Sequence, residues 1–322
     1  ATSDCNGLKS INKWFVDGAF LDYDLNQGCR PFPPPDEGDL QVAVDALKAV
    51  RPAFLDGPVV VATRGCLTSL AEALLIPSSC PALQVFRIGD ALILARSTKA
   101  SSDDVPVEVS YRGYHFEALC RGERLPTHST RISSYRQIVD VAFAGGKLLV
   151  VTGVDARHAD MPEVMVEVKL MKHPKLCRSR SVCNRLLRAW LQASFSMHEH
   201  FLIGLHNEHR VECFLRGSQR GTPYVTLQDL QKMLDERVSA SGDRSLWDPN
   251  AIFGWLGTAV AFLKKNTQPG NAYLLHRPRT SSEAGQGVDH FVLEERPELW
   301  VGCPDVFSHA LSVGLRANVV ER

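Results

Sequence analysis

Two carboxylates and an ammonium lie close together on one short stretch of this chain, a combination suited to metal-assisted phosphodiester chemistry. In the segment from Lys147 to Lys169, an apolar run ends in Gly153-Val154-Asp155, and a second run, Glu163 to Met171, carries Glu167-Val168-Lys169. Strand side chains alternate between faces. Val164, Val166, Val168 and Leu170 then form a buried face, and Glu167 and Lys169 project together on the other. If the two strands pair, Asp155 joins them. Carboxylates are the hard oxygen ligands that Mg²⁺ takes, and a neighbouring cation orients water or stabilises developing charge. The same spacing also suits a solvated Glu167–Lys169 surface pair with Asp155 in a turn.

Two further segments add to it. Gly113-Tyr114-His115-Phe116-Glu117 falls in a helix-like run ending near Gly122, with Glu117 one turn beyond Gly113 on the same face. From Lys169 to Met197 there are seven Lys or Arg residues (169, 172, 175, 178, 180, 185 and 188) and no acid. In the helix expected after Ser181, Arg185, Arg188 and Gln192 share a face, which makes either a phosphate track or a solvated helix face. A third cluster, His198, His200, His206 and His209, invites a zinc reading. It lacks cysteines at ligand spacing, and the expected strand 201–205 would set its histidines at opposite ends.

The elements that must position these residues are legible in outline. Asp39 can cap a helix from Leu40 to about Val50, Pro58 to Val61 reads as a buried strand, and Cys66 to Leu75 reads as a helix. Leu83 to Ile88 and Ala91 to Ala95 flank Gly89-Asp90, and Tyr135 to Phe143 faces Lys147 to Val154 across Gly145-Gly146. Both glycine-bearing pairs suit tight hairpin turns. Asp248 before Pro249 starts a helix running to about Lys265. Pro31 to Pro35, Ser97 to Asp104, Ser239 to Gly242 and Ser281 to Gly287 read as surface loops, none long enough for a domain boundary. Hairpins mixed with helices imply an α/β (mixed α+β) fold with mixed or antiparallel sheets, in a single domain over residues 1–322.

Composition narrows the class. Lys plus Arg (36) balance Asp plus Glu (36), so any nucleic-acid site must be a local patch. The nine scattered cysteines form no C-x-x-C pair and read as free thiols of a reducing compartment. No apolar run approaches the roughly 20 residues of a membrane helix, and no signal core stands at the start. The expectation is an intracellular protein of nucleus or cytoplasm, or of an organelle after removal of a transit peptide, without a membrane partner.

In order along the chain, Thr63-Arg64-Gly65-Cys66-Leu67-Thr68, Gly113-Tyr114-His115-Phe116-Glu117, Gly153-Val154-Asp155, Glu167-Val168-Lys169 and Gln192 resemble the successive motifs of the DXO decapping-exoribonuclease family. The resemblance extends from Phe20-Leu21-Asp22-Tyr23-Asp24-Leu25 to Trp247-Asp248-Pro249-Asn250. It implies two mixed β-sheets with flanking helices around a PD-(D/E)xK-like nuclease core. It implies Mg²⁺- or Mn²⁺-dependent removal of unmethylated caps, NAD caps or 5′-triphosphates from RNA, with 5′-to-3′ degradation in some members and no DNA preference. Carried over, Glu117, Asp155, Glu167 and the Val168 carbonyl are metal ligands, and Lys169 and Gln192, with Asp155 and Glu167, form the catalytic set. Arg64 then meets RNA phosphate near the 5′ end, and with Gly65, Lys169 and the Arg185 and Arg188 of the basic stripe it makes up the expected RNA-binding set. Gly153 departs from the pattern, since the family has there a Glu that helps hold a second metal, and Thr63 stands where relatives usually have Trp. That departure sets an active 5′-end hydrolase against a catalytically inactive relative that binds RNA or partners a 5′–3′ exoribonuclease or ribonucleoprotein.

Overall fold

The computed structural model describes residues 9–12, 24–27, 40–43, 45, 59–75, 82–97, 107–123, 135–143, 146–173, 179–219, 222–241, 248–276 and 291–300. Its centre is β1 (Val59–Thr63), whose Val-Val-Val-Ala-Thr run is buried throughout. It pairs in parallel with β3 (Ala91–Arg96) on one edge and β5 (Gly146–Val154) on the other, and it is apolar on both faces because Val60 and Ala62 enter one core cluster and Val59 and Val61 another. The expected hairpins are present: β2 (Leu83–Ile88) pairs with β3, and β4 (Tyr135–Phe143) with β5. With β11 (Ala272–His276) and β12 (Val292–Glu295) they make a seven-stranded mixed sheet in the order β12-β11-β2-β3-β1-β5-β4.

A second, smaller mixed sheet has the order β10-β8-β7-β6, with β9 (Arg210–Phe214) paired to β8. Its main strands are β7 (Met165–Lys172) and β8 (His200–Asn207), parallel neighbours joined by the helix α3 (Ser179–Ser196). β6 (Ala156–Arg157) and β10 (Tyr224–Thr226) complete it. β5 in the large sheet ends at Val154 and β6 in the small sheet begins at Ala156, so Asp155 is the one residue at the crossing between sheets.

α1 (Arg64–Leu75), α3, α4 (Leu227–Ser241) and α5 (Pro249–Asn266) contribute to one core with residues of both sheets, including Val60, Leu148, Trp190, Phe201 and Leu256. Asp248 caps α5, its Oδ1 accepting from the Asn250 N–H at 2.9 Å, with Pro249 opening the helix. Ser239 to Ser241 belong to α4 rather than to the expected loop. That helix is started by a capping box in which Thr226 Oγ1 accepts from the Asp229 N–H (3.1 Å) and Asp229 Oδ2 from the Thr226 N–H (2.9 Å). Of the expected helix from Leu40, residues 40–43 and 45 are helical and the rest lies outside the described residues, as do the expected loops at 31–35, 98–104 and 281–287.

α2 (Val107–Cys120) lies against the small sheet, its Phe116 buried among Val166, Val168 and Leu202. Gly204 of β8 makes this approach possible, because a Cβ there would stand 2.4 Å from the Phe116 ring. Gly122, in the left-handed region at φ +64, turns the chain out of the helix.

Candidate active site

β6 pairs only with Met165 and Val166, so from Glu167 onward one edge of β7 has no strand beside it among the described residues. A cleft of about 560 Å³ opens along that edge. One wall is α2, with Val109, Gly113 and Glu117; the other is α3, with Arg185, Arg188, Ala189 and Gln192. Val168 and Lys169 line it from β7. A Cβ at Gly113 would meet nothing within 4 Å, so this glycine keeps the α2 wall low.

The carboxylates gather at and behind this cleft. Glu167, expected on a polar face, is fully buried, so a solvated surface pair with Lys169 is ruled out. Its face of β7 is covered because α3 crosses from β7 to β8 over it, burying Met171 in the same core as Leu187 and Trp190. Lys169 contacts Glu167 Oε1 directly and stands 3.9 Å from Asp155 Oδ2. Asp155 Oδ2 also accepts from the Val168 N–H at 2.9 Å, and the Asp155 carbonyl accepts from Arg121 at 2.8 Å. The sheet-crossing residue is thus fixed at both main chain and side chain.

The electrostatics divide the three acids. Burial, and then the Asp155 carboxylate, push the Glu117 carboxyl up to about 8. Burial and Glu167 also raise Asp155. Burial works in the same direction on Glu167, but Arg64, Lys169 and His198 outweigh it and hold that carboxyl well below the ordinary range. Desolvation would lower Lys169, yet Glu167 and Asp155 raise it, so it stays an ammonium.

Glu167 is held from behind by residues whose sequence context did not mark them for that role. Oε2 accepts from Arg64 and contacts His198 Nδ1 at 3.1 Å. Arg64 also donates to Ser196 Oγ (3.2 Å), which is bonded to Thr152 Oγ1 (2.8 Å) and to the Gln192 carbonyl (2.7 Å). Oε1 is in direct contact with the Lys169 ammonium. These residues sit on β1–α1, β5 and the end of α3, too far apart in sequence to form a motif.

The sequence-derived RNA residues separate into two groups. Lys169, Arg185 and Arg188 line the cleft, as do Gln192, Glu117 and Val168 from the other assignments. Arg64 and Gly65 do not: Arg64 is turned onto Glu167, and Gly65 packs so that a Cβ would lie 3.1 Å from the Arg96 guanidinium. Thr63 is buried and caps α1, accepting from the Cys66 N–H at 3.2 Å. Gly153 is half-buried opposite Arg136, and its neighbour Thr152 supplies the side chain that reaches Ser196. The zinc cluster does not form. His198 faces Glu167, His200 packs edge-on to His158, His206 lines the cleft and His209 lies 4.0 Å from Asp24.

Across residues 9–288 the chain matches the model of the RAI1 like PD-(D/E)XK nuclease family. The chain belongs to that family. No curated protein sequence matches it. Among solved structures, S. pombe Rai1 in complex with 3′-FADP superposes with a TM-score of 0.66 at 19% identity, over 91% of this chain and 88% of that one. Candida albicans Rai1 in complex with pU5-Mn²⁺ gives 0.69 at 13% identity, over 95% and 90%. K. lactis Dxo1 in complex with manganese gives 0.61 at 17% identity, over 87% and 85%. The two mixed sheets with their helices are thus the RAI1-like nuclease architecture, in which the DXO resemblance is met.

The donor set fits a hard divalent cation in kind. Glu117, Asp155 and Glu167 offer carboxylate oxygens, and the burial and neighbouring carboxylate charge that raise Glu117 and Asp155 are what a cation relieves. Among the described residues no three His, Cys, Asp or Glu side chains are close enough to hold one ion together, and the Lys169 ammonium holds the central place.

Proposed function

We propose that the chain is a divalent-metal-dependent hydrolase acting at RNA 5′ ends, removing a triphosphate, an unmethylated cap or an NAD cap. The observation that carries this reading is the Lys169 ammonium held between Glu167 and Asp155, with Glu117 lining the same cleft and Arg185 and Arg188 on its far wall. The relatives support it through what they bind, pU5 with Mn²⁺ in one Rai1 and manganese in Dxo1.

In this reading Glu117, Asp155, Glu167 and the Val168 carbonyl hold Mg²⁺ or Mn²⁺. When bound, the ion supplies Lewis-acid stabilisation of the phosphate and a more acidic water. Arg185 and Arg188 bind phosphate oxygens along α3, where each neutralised phosphate contributes through counterion release. Gln192, one turn deeper, orients the scissile phosphate by its amide. Lys169, kept protonated by Glu167 and Asp155, carries a fixed positive charge beside the reacting phosphate. Gly153 supplies no carboxylate for a second ion, so the site works with fewer ligands than its family pattern.

The test is hydrolysis of RNAs bearing a 5′-triphosphate, an unmethylated cap or an NAD cap, in Mg²⁺, in Mn²⁺ and in chelator. Metal-dependent release from at least one substrate is expected. RNA binding without release in any condition would turn the reading to a binding or assembly role.

A further inference from the structure

Glu167 uses its two oxygens differently: Oε2 is saturated from behind by Arg64 and His198, while Oε1 meets the Lys169 ammonium on the cleft side. Behind Oε2 stands His198, itself buried, and its other ring nitrogen meets Gln137 of β4 in the large sheet. The hydrogen-bonding roles in this chain follow from the chemistry of the groups. Gln137 Nε2 lies 3.0 Å from the Ser196 carbonyl, which only accepts, so that atom is the amide nitrogen. The same NH₂ lies 3.0 Å from His198 Nε2, which must therefore accept. The ring proton is left on Nδ1, and it points at Glu167 Oε2, 3.1 Å away.

The backbone delivers His198 to this place. α3 ends at Ser196, Met197 takes the left-handed conformation at φ 54, and the His198 N–H returns to the Ala193 carbonyl at 3.3 Å. This is the 6→1 bond of a Schellman turn, here with methionine where glycine is usual. A non-glycine residue in that region is strained, and the strain sets His198 back under the helix end.

We propose that Gln137 and His198 form a positioning pair which, by fixing the ring proton on Nδ1, anchors Glu167 Oε2 and so keeps Oε1 on the Lys169 side of the carboxylate, where a divalent cation would share it. The proposal rests on the metal reading above. Outer partners of this kind tune metal affinity by roughly ten- to hundredfold. The pair also joins the two sheets, since Gln137 belongs to one and Glu167 to the other.

The experiment compares Mn²⁺ affinity by calorimetry in the full chain, its His198→Asn and His198→Gln variants, with thermal unfolding to confirm that each folds. Asparagine can place its amide N–H where Nδ1 stands, whereas glutamine reaches toward Nε2 and leaves Oε2 without that donor. Affinity near wild type for His198→Asn and a drop of about ten- to hundredfold for His198→Gln is expected. Equal affinity in all three proteins overturns the pair. In parallel, ¹⁵N-labelled histidine read by NMR reports the tautomer without any metal. A proton on Nε2 of His198 overturns the proposal, and one on Nδ1 supports it. If wild type binds no Mn²⁺, the metal reading falls and with it the part of the proposal that assigns Oε1 to a cation, while the tautomer still decides the pair.

Discussion

Metal entry into this site should release a proton. The Glu117 carboxyl is pushed by burial and by Asp155 from its ordinary 4.5 to about 8. Below pH 8 the metal-free protein therefore carries a proton on a group that must be ionised to act as a ligand. Each unit of pH below 8 adds about 1.36 kcal/mol to the cost of binding. Relative to its plateau, Mn²⁺ affinity should be weaker by roughly tenfold at pH 7 and a hundredfold at pH 6. The sign follows from the direction of the shift: a raised carboxyl favours the proton-bound fold, so metal affinity climbs with pH and levels above about 8. For the same reason the metal-free fold loses stability as pH rises from 4.5 toward 8, and a bound cation offsets the loss. Calorimetric titration in buffers of different ionisation enthalpy reads both the affinity and the proton count, with about one proton expected at pH 6. Glu117→Gln should bind more weakly and nearly independently of pH over this range. Wild-type affinity that is flat from pH 6 to 8, with no proton released, would refute the reasoning.

Other consequences follow from single contacts. Gly153→Glu should raise hydrolysis of a 5′-triphosphate RNA by at least about tenfold, worth ~1.4 kcal/mol at the transition state, and an unchanged single-turnover rate would show that no carboxylate is missing there. Arg188, half exposed on the cleft wall, is tied at 3.3 Å to the buried Glu72 of α1. Arg188→Ala should weaken RNA binding and reduce the slope of log K against log salt by about one, whereas Glu72→Gln, which leaves the guanidinium in place but unanchored, should weaken binding with the slope kept. Met197→Gly should raise the melting temperature, since Met197 is 66% exposed and its left-handed backbone costs roughly 1–2 kcal/mol, of which glycine's unfolded-state entropy returns about 0.5–1.

The parts of the fold governed by local rules were legible in the sequence. Glycine-bearing turns marked both hairpins of the large sheet, and Asp248-Pro249 marked the start of α5. Ser239 to Ser241 misled because serine and alanine tolerate a helix end once Leu234 and Val238 are packed in the core. The carboxylates were legible as residue types on strands, but the burial of Glu167 was not, since a strand's polar face carries no sign of whether a helix will cross it. The support behind Glu167 was hidden for a related reason. Gln137, Thr152, Ser196 and His198 are ordinary polar residues that meet only because two sheets and a helix end come together. Arg64 was found by resemblance, yet its partner is Glu167 rather than the open cleft, a choice set by tertiary packing at the start of α1.

The most direct test of the central claim is the single-turnover rate of 5′-end release from triphosphate, unmethylated-capped and NAD-capped RNA by wild type and by Asp155→Asn in saturating Mn²⁺. Asp155 stands at the crossing between the sheets, accepts from the Val168 N–H and lies 3.9 Å from the Lys169 ammonium, so the proposed hydrolysis calls for its charge. Release by wild type from at least one RNA is expected, slowed about a hundredfold or more in the variant, roughly 3 kcal/mol, with RNA affinity little changed. A wild type inert toward every 5′ end, or equal rates in the two proteins, would rule out Asp155-dependent hydrolysis at this cleft.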